Sequence, residues 1–273
     1  MANVANAVVV ADQRRTRSWK KHCVRLTQLG LGFALILLWH VLSHTLGPRI
    51  FAEPILVFER LAQIGLDGTL LNQLKSTLLI SVIGALIGGG IGIMAPLILH
   101  GSARLTSAVE PYVMASIGIP KMALAPLFIF WFGIGYMPKI AMVALATYYV
   151  PFTQILAGIR SVDRGLIDVA RISGANRVWI VRDVVWPSLA PFFLASLKIV
   201  LPRAIGACIV AEMLIGGAGL GYYIGRSLET GDVVGIFTGV LVLVLMMFLL
   251  NVGLNALQGR LLAWAPRVRE MEL

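Results

Sequence analysis

The stretch that decides the fold is residues 77–99, which read TLLISVIGALIGGGIGIMAPLIL. It contains no charged residue. A helix needs about 20 apolar residues to cross the hydrocarbon core of a bilayer. The stretch therefore predicts a transmembrane helix, which covers residues 71–99 once its N-terminal flank is included.

The composition of the chain agrees with a protein that lies largely in lipid. Of its 273 residues, 58% are hydrophobic and 13% are charged, whereas soluble domains carry roughly 25% charged residues. The net charge of +10 would suggest a nucleic-acid partner for a soluble protein. Here the basic residues flank apolar runs. Cytoplasmic loops of membrane proteins, which lie next to transmembrane helices, are likewise rich in Lys and Arg. We expect membrane lipid, and no nucleic acid, as a partner.

Apolar runs predict six transmembrane helices and hence an all-α polytopic membrane protein. The clearest runs cover residues 27–47, 71–99, 187–212 and 233–258. The apolar stretch 109–160 is punctuated by prolines, and the turn-like segment GIGYMP divides it into crossings near 110–134 and 138–160.

The distribution of positive charge predicts the orientation of these crossings. With the N-terminus inside, external loops hold only Arg49, Arg60, Lys139 and Arg226, and the other loop cations are cytoplasmic. The basic N-terminus before the apolar run resembles a signal peptide, but the run has span length and favours an uncleaved first helix. The expected organisation is a cytoplasmic segment 1–26, a transmembrane domain 27–260 and a cytoplasmic tail 261–273.

Glycines mark one face of the second predicted helix. Gly84, Gly88 and Gly92 recur at four-residue intervals, and small residues at this spacing let helix backbones approach closely in lipid. Packing within the bundle is the favoured interpretation, and a seam between two copies is the alternative.

Residues 161–186 predict a pair of short helices on the cytoplasmic side. Asp163 is placed to cap a first helix, the pair Ser173–Gly174 ends it, and Asn176 can cap a second helix that runs into Pro187. From the residues alone, a passive amphipathic pair in the headgroup region is equally consistent with this pattern.

The run 166–177, LIDVARISGANR, followed by VWP at 185–187, resembles the cytoplasmic EAA loop of permeases from binding-protein-dependent ABC importers. In that family the loop is a coupling helix that docks in a groove of the ATPase subunit. The resemblance assigns ATPase coupling to Asp168, Ala170, Arg171, Gly174, Ala175 and Arg177. Two departures are Asp168-Val169-Ala170 in place of Glu-Ala-Ala, and Trp186 where Leu is usual.

The resemblance extends over roughly residues 50 to 260. In this range the sequence is similar to the nitrate, sulfonate and taurine branch of that family. It rests on FAEP at 51–54, IPKMALAPLFIFWFGIG at 119–135, VAEML at 210–214 and GLG at 219–221. It implies an inner-membrane permease whose partners are a second permease copy, two cytoplasmic ABC ATPases and a periplasmic substrate-binding protein.

The chain lacks a phosphate-binding loop of the type Gly-x-x-x-x-Gly-Lys-Ser/Thr, because no Gly-Lys pair occurs in it. We expect no enzymatic activity and no cofactor on this chain, with ATP and magnesium on the partner ATPase. We also expect no metal site. His40 and His44 lie four residues apart, but packing explains them better than metal binding.

Charged residues inside the fifth predicted helix are candidates for a translocation path. Lys198 and Arg203 fall near its middle, where a charge costs about 2.5–3.5 kcal/mol and should face protein or water. Helical spacing separates them by roughly 140°, so they need not share a surface. Glu212 is assigned to the same path, toward the external end. Structural pairing is the alternative for these charges, while Lys75 and Lys121 lie nearer span ends and are expected to snorkel.

An ion-coupled secondary transporter is the main alternative function. Such carriers tend to show broken helices in matching halves and acidic residues at the midplane, and neither stands out here. An intramembrane enzyme is a weaker alternative, because no paired carboxylates or Ser/His arrangement is evident. The favoured solute is small and anionic, although the sequence does not name it.

Overall fold

The computed structural model describes Thr27 and residues 30–261, except for the side chains of Arg164, Arg177, Arg260 and Leu261. The predicted N-terminal segment 1–26 and the tail beyond residue 261 lie outside these residues. Within the described ranges the chain is helical and contains no β-strand. The helices are α1 (Gly30–Leu46), α2 (Pro54–Leu66), α3 (Thr69–Leu99), α4 (Ala103–Ile117), α5 (Ala125–Phe132), α6 (Tyr136–Thr147), α7 (Tyr149–Ser161), α8 (Arg164–Ile172), α9 (Arg177–Ile180), α10 (Trp186–Ile215), α11 (Leu220–Glu229) and α12 (Val233–Leu261).

The described residues fall into two compact units, with the boundary between residues 62 and 63. In the first unit the indole N–H of Trp39 in α1 donates a hydrogen bond to the carbonyl of Ala52, at 2.9 Å. The rings of His40 and His44 pack edge to face with their centroids 4.6 Å apart. No group of three or more His, Cys, Asp or Glu residues that could hold a metal occurs in the described part of the chain.

Four helical segments of the second unit are long and apolar enough to cross a membrane. They are Thr69–Leu99, Tyr136–Ser161, Val178–Ile215 and Val233–Gly259. Four of the predicted crossings therefore correspond to long apolar helices. The described part of α1 is shorter, at 17 residues.

The stretch predicted as a crossing near 110–134 is not one continuous helix. This stretch belongs to two helical segments, Ala103–Ile117 and Lys121–Phe132, which are bent by 91°. Helix α4 ends at Ile117, and Pro120, with φ −70° and ψ 94°, has no N–H with which to continue it. A short 3₁₀ turn, Lys121–Leu124, then leads into α5. The described chain thus contains four candidate spans, or five if this bent pair is one span.

The glycine stripe of α3 lies against α6 and α7 of the same chain. A Cβ atom added to Gly84 would collide with Val143, and one added to Gly88 would collide with the Ala144 carbonyl and the Thr147 hydroxyl. One added to Gly92 would collide with the Tyr148 carbonyl. Because a methyl group has no room at these positions, the stripe permits an approach of backbones that larger residues would prevent.

Helix α10 is the central element of the second unit and packs against α3, α6, α7 and α11. A buried cluster that includes Ile80, Val143, Phe152, Ala204 and Cys208 joins four of these helices. The segments α8 and α9 lie at one end of α10, and α11 follows its other end. We call these the α8 end and the α11 end of the bundle.

Candidate functional site

A cavity of about 890 Å³ lies beside the middle of α10. Most of its wall is apolar, and α10 supplies half of the lining residues, from Lys198 to Val210. The remaining wall comes from α6, α7 and the corner between α4 and α5.

Lys198 and Arg203, which the sequence assigned to a translocation path, both line this cavity. Their Cα directions differ by roughly 140° around the helix. Ile199, Pro202 and Gly206 lie between them on the helix surface and form the floor, so that the two long side chains border the cavity from either side. Both residues are exposed in the isolated chain.

A third cation, Lys121, lines the same cavity, although its sequence position predicted snorkelling at a span end. Its ammonium donates hydrogen bonds to the carbonyls of Ser116 and Ile117, at 3.2 Å, and of Ile119, at 3.3 Å. These carbonyls belong to the end of α4 and the segment just after it, where unpaired carbonyls and the helix dipole favour a cation. The Pro-Lys pair at 120–121, which begins three residues after the last residue of α4, is the signal that could have revealed this role.

Tyr149 links two of the cavity cations. Its ring centroid lies 5.4 Å from Lys121 Nζ and 5.1 Å from Arg203 Cζ, within the range in which a ring face attracts a cation. The residue is 8% exposed and belongs to the buried cluster around α10. Sequence analysis did not single it out, because a tyrosine in an apolar helix carries no distinguishing pattern.

The electrostatic character of the cavity is one-sided. Lys121, Lys198 and Arg203 are the charged residues of its lining. None of the ion pairs between described residues includes any of these three side chains. The wall therefore carries three positive charges that no carboxylate of the described chain neutralises.

The structure does not bring Glu212 to this cavity. The side chain is fully buried at the α11 end, where its carboxylate accepts hydrogen bonds from the Thr77 hydroxyl at 3.0 Å and from the Gly221 N–H at 2.9 Å. The Cys208 thiol donates a longer contact of 3.5 Å.

The loop between α10 and α11, residues 216–219, is held by side chains from other helices. Gln73 accepts from the Gly219 N–H at 2.6 Å, and Thr77 accepts from the Leu220 N–H at 2.8 Å. Lys139 donates to the Ala218 carbonyl at 3.2 Å. Lys139, which was expected in an external loop, is 2% exposed within α6. We call Gln73, Thr77, Lys139 and Glu212, with the backbone of 218–221, the buried polar network.

The buried polar network requires glycine at position 219. Its φ is +116°, a conformation that L side chains rarely adopt. A Cβ atom there would also collide with the Glu212 carboxylate. The GLG motif at 219–221 therefore lets the backbone approach a buried carboxylate closely.

The helix caps predicted in the segment 161–186 are confirmed. Asp163 accepts from the Gly165 N–H at 2.8 Å at the start of α8, and Asn176 accepts from the Trp179 N–H at 2.8 Å at the start of α9. Between them Gly174 has φ +83°, and the Ala175 N–H donates to the Ala170 carbonyl at 3.0 Å. This left-handed glycine follows the end of α8.

The residues assigned to ATPase coupling lie on and beside α8. Asp168 and Arg171 are exposed and form an ion pair of 3.7 Å, while Ala170 is buried. Gly174 is exposed and Ala175 is half-buried. Arg177 begins α9, and its side chain lies outside the described residues.

Apolar side chains are also exposed at this end. Ile172 is 88% exposed, Val178 75% and Val169 62%. A π-helical segment, Val181–Val185, joins α9 to α10 just before Pro187. Because Pro187 has no N–H, it cannot make the helical bond to the carbonyl four residues earlier, and π segments are frequent at functional sites.

Comparison with known sequences identifies one family. Residues 69–268 match the family described as "Binding-protein-dependent transport system inner membrane component". This range includes α3, the whole cavity lining, the buried polar network and the segment 161–186.

Curated transport permeases match this chain over most of their length. The taurine transport system permease protein TauC of Escherichia coli is 29% identical over 96% of this chain and 100% of its own. The formylaminopyrimidine transport permease protein ThiX of Halalkalibacterium halodurans is 29% identical over 85% of this chain and 93% of its own.

Solved structures of ABC transporters have a similar fold. A chain of the MetNI methionine ABC transporter, in an inward-facing conformation, superposes with a TM-score of 0.62 and 20% sequence identity. The match covers 71% of this chain and 96% of the MetNI chain.

Proposed function

The chain belongs to the family of binding-protein-dependent transport system inner membrane components and is a permease subunit of an ABC importer, and we propose that its cationic cavity is part of the path of a small anionic solute. The observation that carries this proposal is the cavity wall, where Lys121, Lys198 and Arg203 meet no acidic side chain among the described residues. A low-dielectric cavity lined by one sign of charge raises the local concentration of solutes of the opposite sign.

The charge of the cavity and two of the relatives support a sulfonate as the solute. Taurine, which the Escherichia coli relative transports by name, and aliphatic sulfonates, which appear in the name of a Bacillus subtilis relative 25% identical to this chain, both carry a sulfonate group. A sulfonate, or another small anion such as nitrate, carries the negative charge that a wall with three positive charges attracts.

We propose that energy comes from two cytoplasmic ABC ATPases, which bind ATP and magnesium, and that α8 docks on them. The exposed Asp168–Arg171 pair and the exposed apolar residues beside it form a mixed surface at the end of the bundle. Such a surface is typical of a protein interface, where apolar contacts are surrounded by polar ones.

The proposed assembly contains a second copy of this permease and a periplasmic binding protein. Lys198 and Arg203 are exposed in the single chain, although charges in a membrane protein face protein or water. A second copy that completes the cavity wall would enclose a water-filled path between the two chains.

We propose that six crossings place both termini in the cytoplasm of a cell with an inner membrane. In this arrangement α1, with residues before it, and the bent pair α4–α5 supply the two crossings beyond the four long helices. The α8 end is then cytoplasmic and the α11 end periplasmic. The concentration of Arg residues at 160–182 supports this orientation.

The proposal is tested by ATP-driven uptake into proteoliposomes that contain the permease–ATPase complex with its binding protein. Radiolabelled taurine, butanesulfonate and nitrate are the probes. We expect uptake of at least one of these three sulfonate or nitrate probes, and a reduction of about tenfold or more by Lys198→Met and by Arg203→Met. Loss of a charged hydrogen-bonding partner costs about 1.5–3 kcal/mol.

Lys75→Met is the matched control, because Lys75 lies on α3 in a different groove. It should leave uptake unchanged. Normal uptake by both cavity variants, with normal assembly of the complex, would contradict the role of the cavity. Uptake without any ATPase subunit would contradict the importer.

A further inference from the structure

The positively charged groups of Lys121 and Arg203 both lie near the aromatic ring of Tyr149. Both cationic groups lie within 5.4 Å of the centroid of Tyr149. An aromatic face attracts a cation, but it carries no net charge that could cancel two of them. The repulsion between these like charges is relieved when an anion binds beside them.

Lys121 and Arg203 differ in how many N–H donors remain available to a solute. An ammonium group has three N–H donors, and three backbone carbonyls accept from Lys121. Lys121 therefore supplies a fixed charge. No described residue accepts a hydrogen bond from the Arg203 guanidinium, whose five donors have the geometry that pairs with two oxygens of a sulfonate or carboxylate.

We propose that Lys121, Tyr149 and Arg203 form a head-group subsite for an organic anion that carries an apolar body. Arg203 binds the anionic oxygens, Lys121 adds its charge from the α4–α5 corner, and the buried ring of Tyr149 determines specificity by holding the two cations beside one another. This inference rests on the proposed function and adds to it the class of solute.

The rest of the cavity wall favours a solute with an apolar body. Ile117, Met122, Met142, Ile199, Pro202 and Val210 line the cavity. Such a wall has few polar groups that could replace the water molecules around nitrate or sulfate. Burial of methylene groups against it is favourable. Each methylene added to an alkylsulfonate should increase its affinity by about fourfold, because burial contributes about 0.8 kcal/mol and a tenfold change corresponds to about 1.4 kcal/mol.

The test is calorimetric titration of the purified permease–ATPase complex in nanodiscs, without binding protein. The probes are sodium ethane-, butane- and hexanesulfonate, with sodium nitrate and sodium sulfate. We expect affinity to increase along the alkyl series and the inorganic anions to bind at least tenfold more weakly than hexanesulfonate. Arg203→Met and Lys121→Met should each weaken hexanesulfonate binding about tenfold or more.

Tyr149 is tested by a pair of variants. Tyr149→Phe keeps the ring and should retain most of the affinity for hexanesulfonate, whereas Tyr149→Leu should lose about tenfold. Each variant complex is first checked for assembly and for ATP hydrolysis in the absence of solute. Lys75→Met, which lies outside the cavity, should bind hexanesulfonate like the unmodified chain.

Two outcomes would overturn the inference: affinity that does not depend on alkyl length, or equal binding by assembled Tyr149→Leu and Tyr149→Phe. Neither outcome bears on ATP-driven uptake in proteoliposomes, which measures the proposed function separately. Uptake of an anion without direct hexanesulfonate binding would therefore overturn the subsite and leave the importer in place.

Discussion

At the scale of single residues, Glu212 is a buried acidic residue whose role is structural. Its carboxylate is fully buried and accepts from a hydroxyl on α3 and from the backbone at the start of α11. A buried charge is costly unless hydrogen bonds satisfy it. The buried polar network satisfies this carboxylate and, with it, three backbone N–H groups of the loop and of α11.

We expect Glu212→Leu to destabilise the protein. The substitution leaves the Gly221 N–H and the Thr77 hydroxyl buried with fewer partners, and each such orphaned group costs about 1–3 kcal/mol. Glu212→Gln retains an acceptor oxygen and should lose less. The measurement is the thermal unfolding of the purified protein in detergent.

Glu229→Gln is the control for this prediction, because Glu229 is 72% exposed and pairs only with Arg226 at the surface. Exposed ion pairs contribute about 0–1 kcal/mol, so its Tm should stay close to that of the unmodified chain. If Glu212→Leu unfolded at the same temperature as Glu229→Gln, the stabilising role of the network would be refuted.

The surroundings of Lys198, Arg203 and Glu212 could be predicted only in part from the sequence. The helical spacing of Lys198 and Arg203 left open whether they share a surface, and Glu212 was grouped with them because it lies on the same helix. The structure separates Glu212 from the cavity and adds Lys121 to it. Spacing along one helix does not reveal which neighbouring helix covers each face.

At the scale of helices, the stripe of Gly84, Gly88 and Gly92 determines how closely α3 approaches α6 and α7. The neighbouring Gly89 belongs to the same helix but has no atom within 4 Å of its added Cβ. The two adjacent glycines thus offer a matched comparison of packing with intrinsic helix propensity.

Gly88→Ala should destabilise the protein, because its methyl group would collide with the backbone of Ala144 and with Thr147, and overpacking costs about 1–3 kcal/mol. Gly89→Ala should be neutral or stabilising by about 0.5–1 kcal/mol, since alanine loses less backbone entropy in a helix. Thermal unfolding of the two variants in the same detergent measures the difference. Equal melting temperatures would show that α3 is not packed through this stripe.

The helix-scale predictions from sequence succeeded where the determinants are local. The caps at Asp163 and Asn176 and the break at Gly174 were predicted and are present. The bend at Pro120 was missed, because a proline in an apolar run is compatible with a kinked span as well as with two helices at 91°.

At the scale of the whole molecule, the proposed topology makes opposite ends of the bundle accessible from opposite sides. Ile172 at the α8 end is 88% exposed, and Leu228 in α11 is 62% exposed. Single cysteines at these positions can report the orientation, because Cys208 is buried and Cys23 can be replaced by serine.

We expect a membrane-impermeant maleimide to label Leu228→Cys in spheroplasts and Ile172→Cys in inverted membrane vesicles, both from cells that produce the permease without the ATPase that would cover α8. Both variants are made in a Cys23→Ser background, and the background chain alone measures residual labelling of Cys208. Labelling of Ile172→Cys from the outside would invert the topology and remove the contact between α8 and a cytoplasmic ATPase.

The sequence by itself determined what depends on local composition and spacing: an all-helical membrane protein, its long apolar helices, the caps of α8 and α9, and a resemblance to the family that the comparisons then showed. Only the tertiary structure decided which side chains meet. Gln73 contacts Gly219 from 146 positions away, and Lys121 shares the ring of Tyr149 with Arg203. Such contacts depend on how whole helices pack, and the periodicity of one helix carries no information about the face that its neighbour presents.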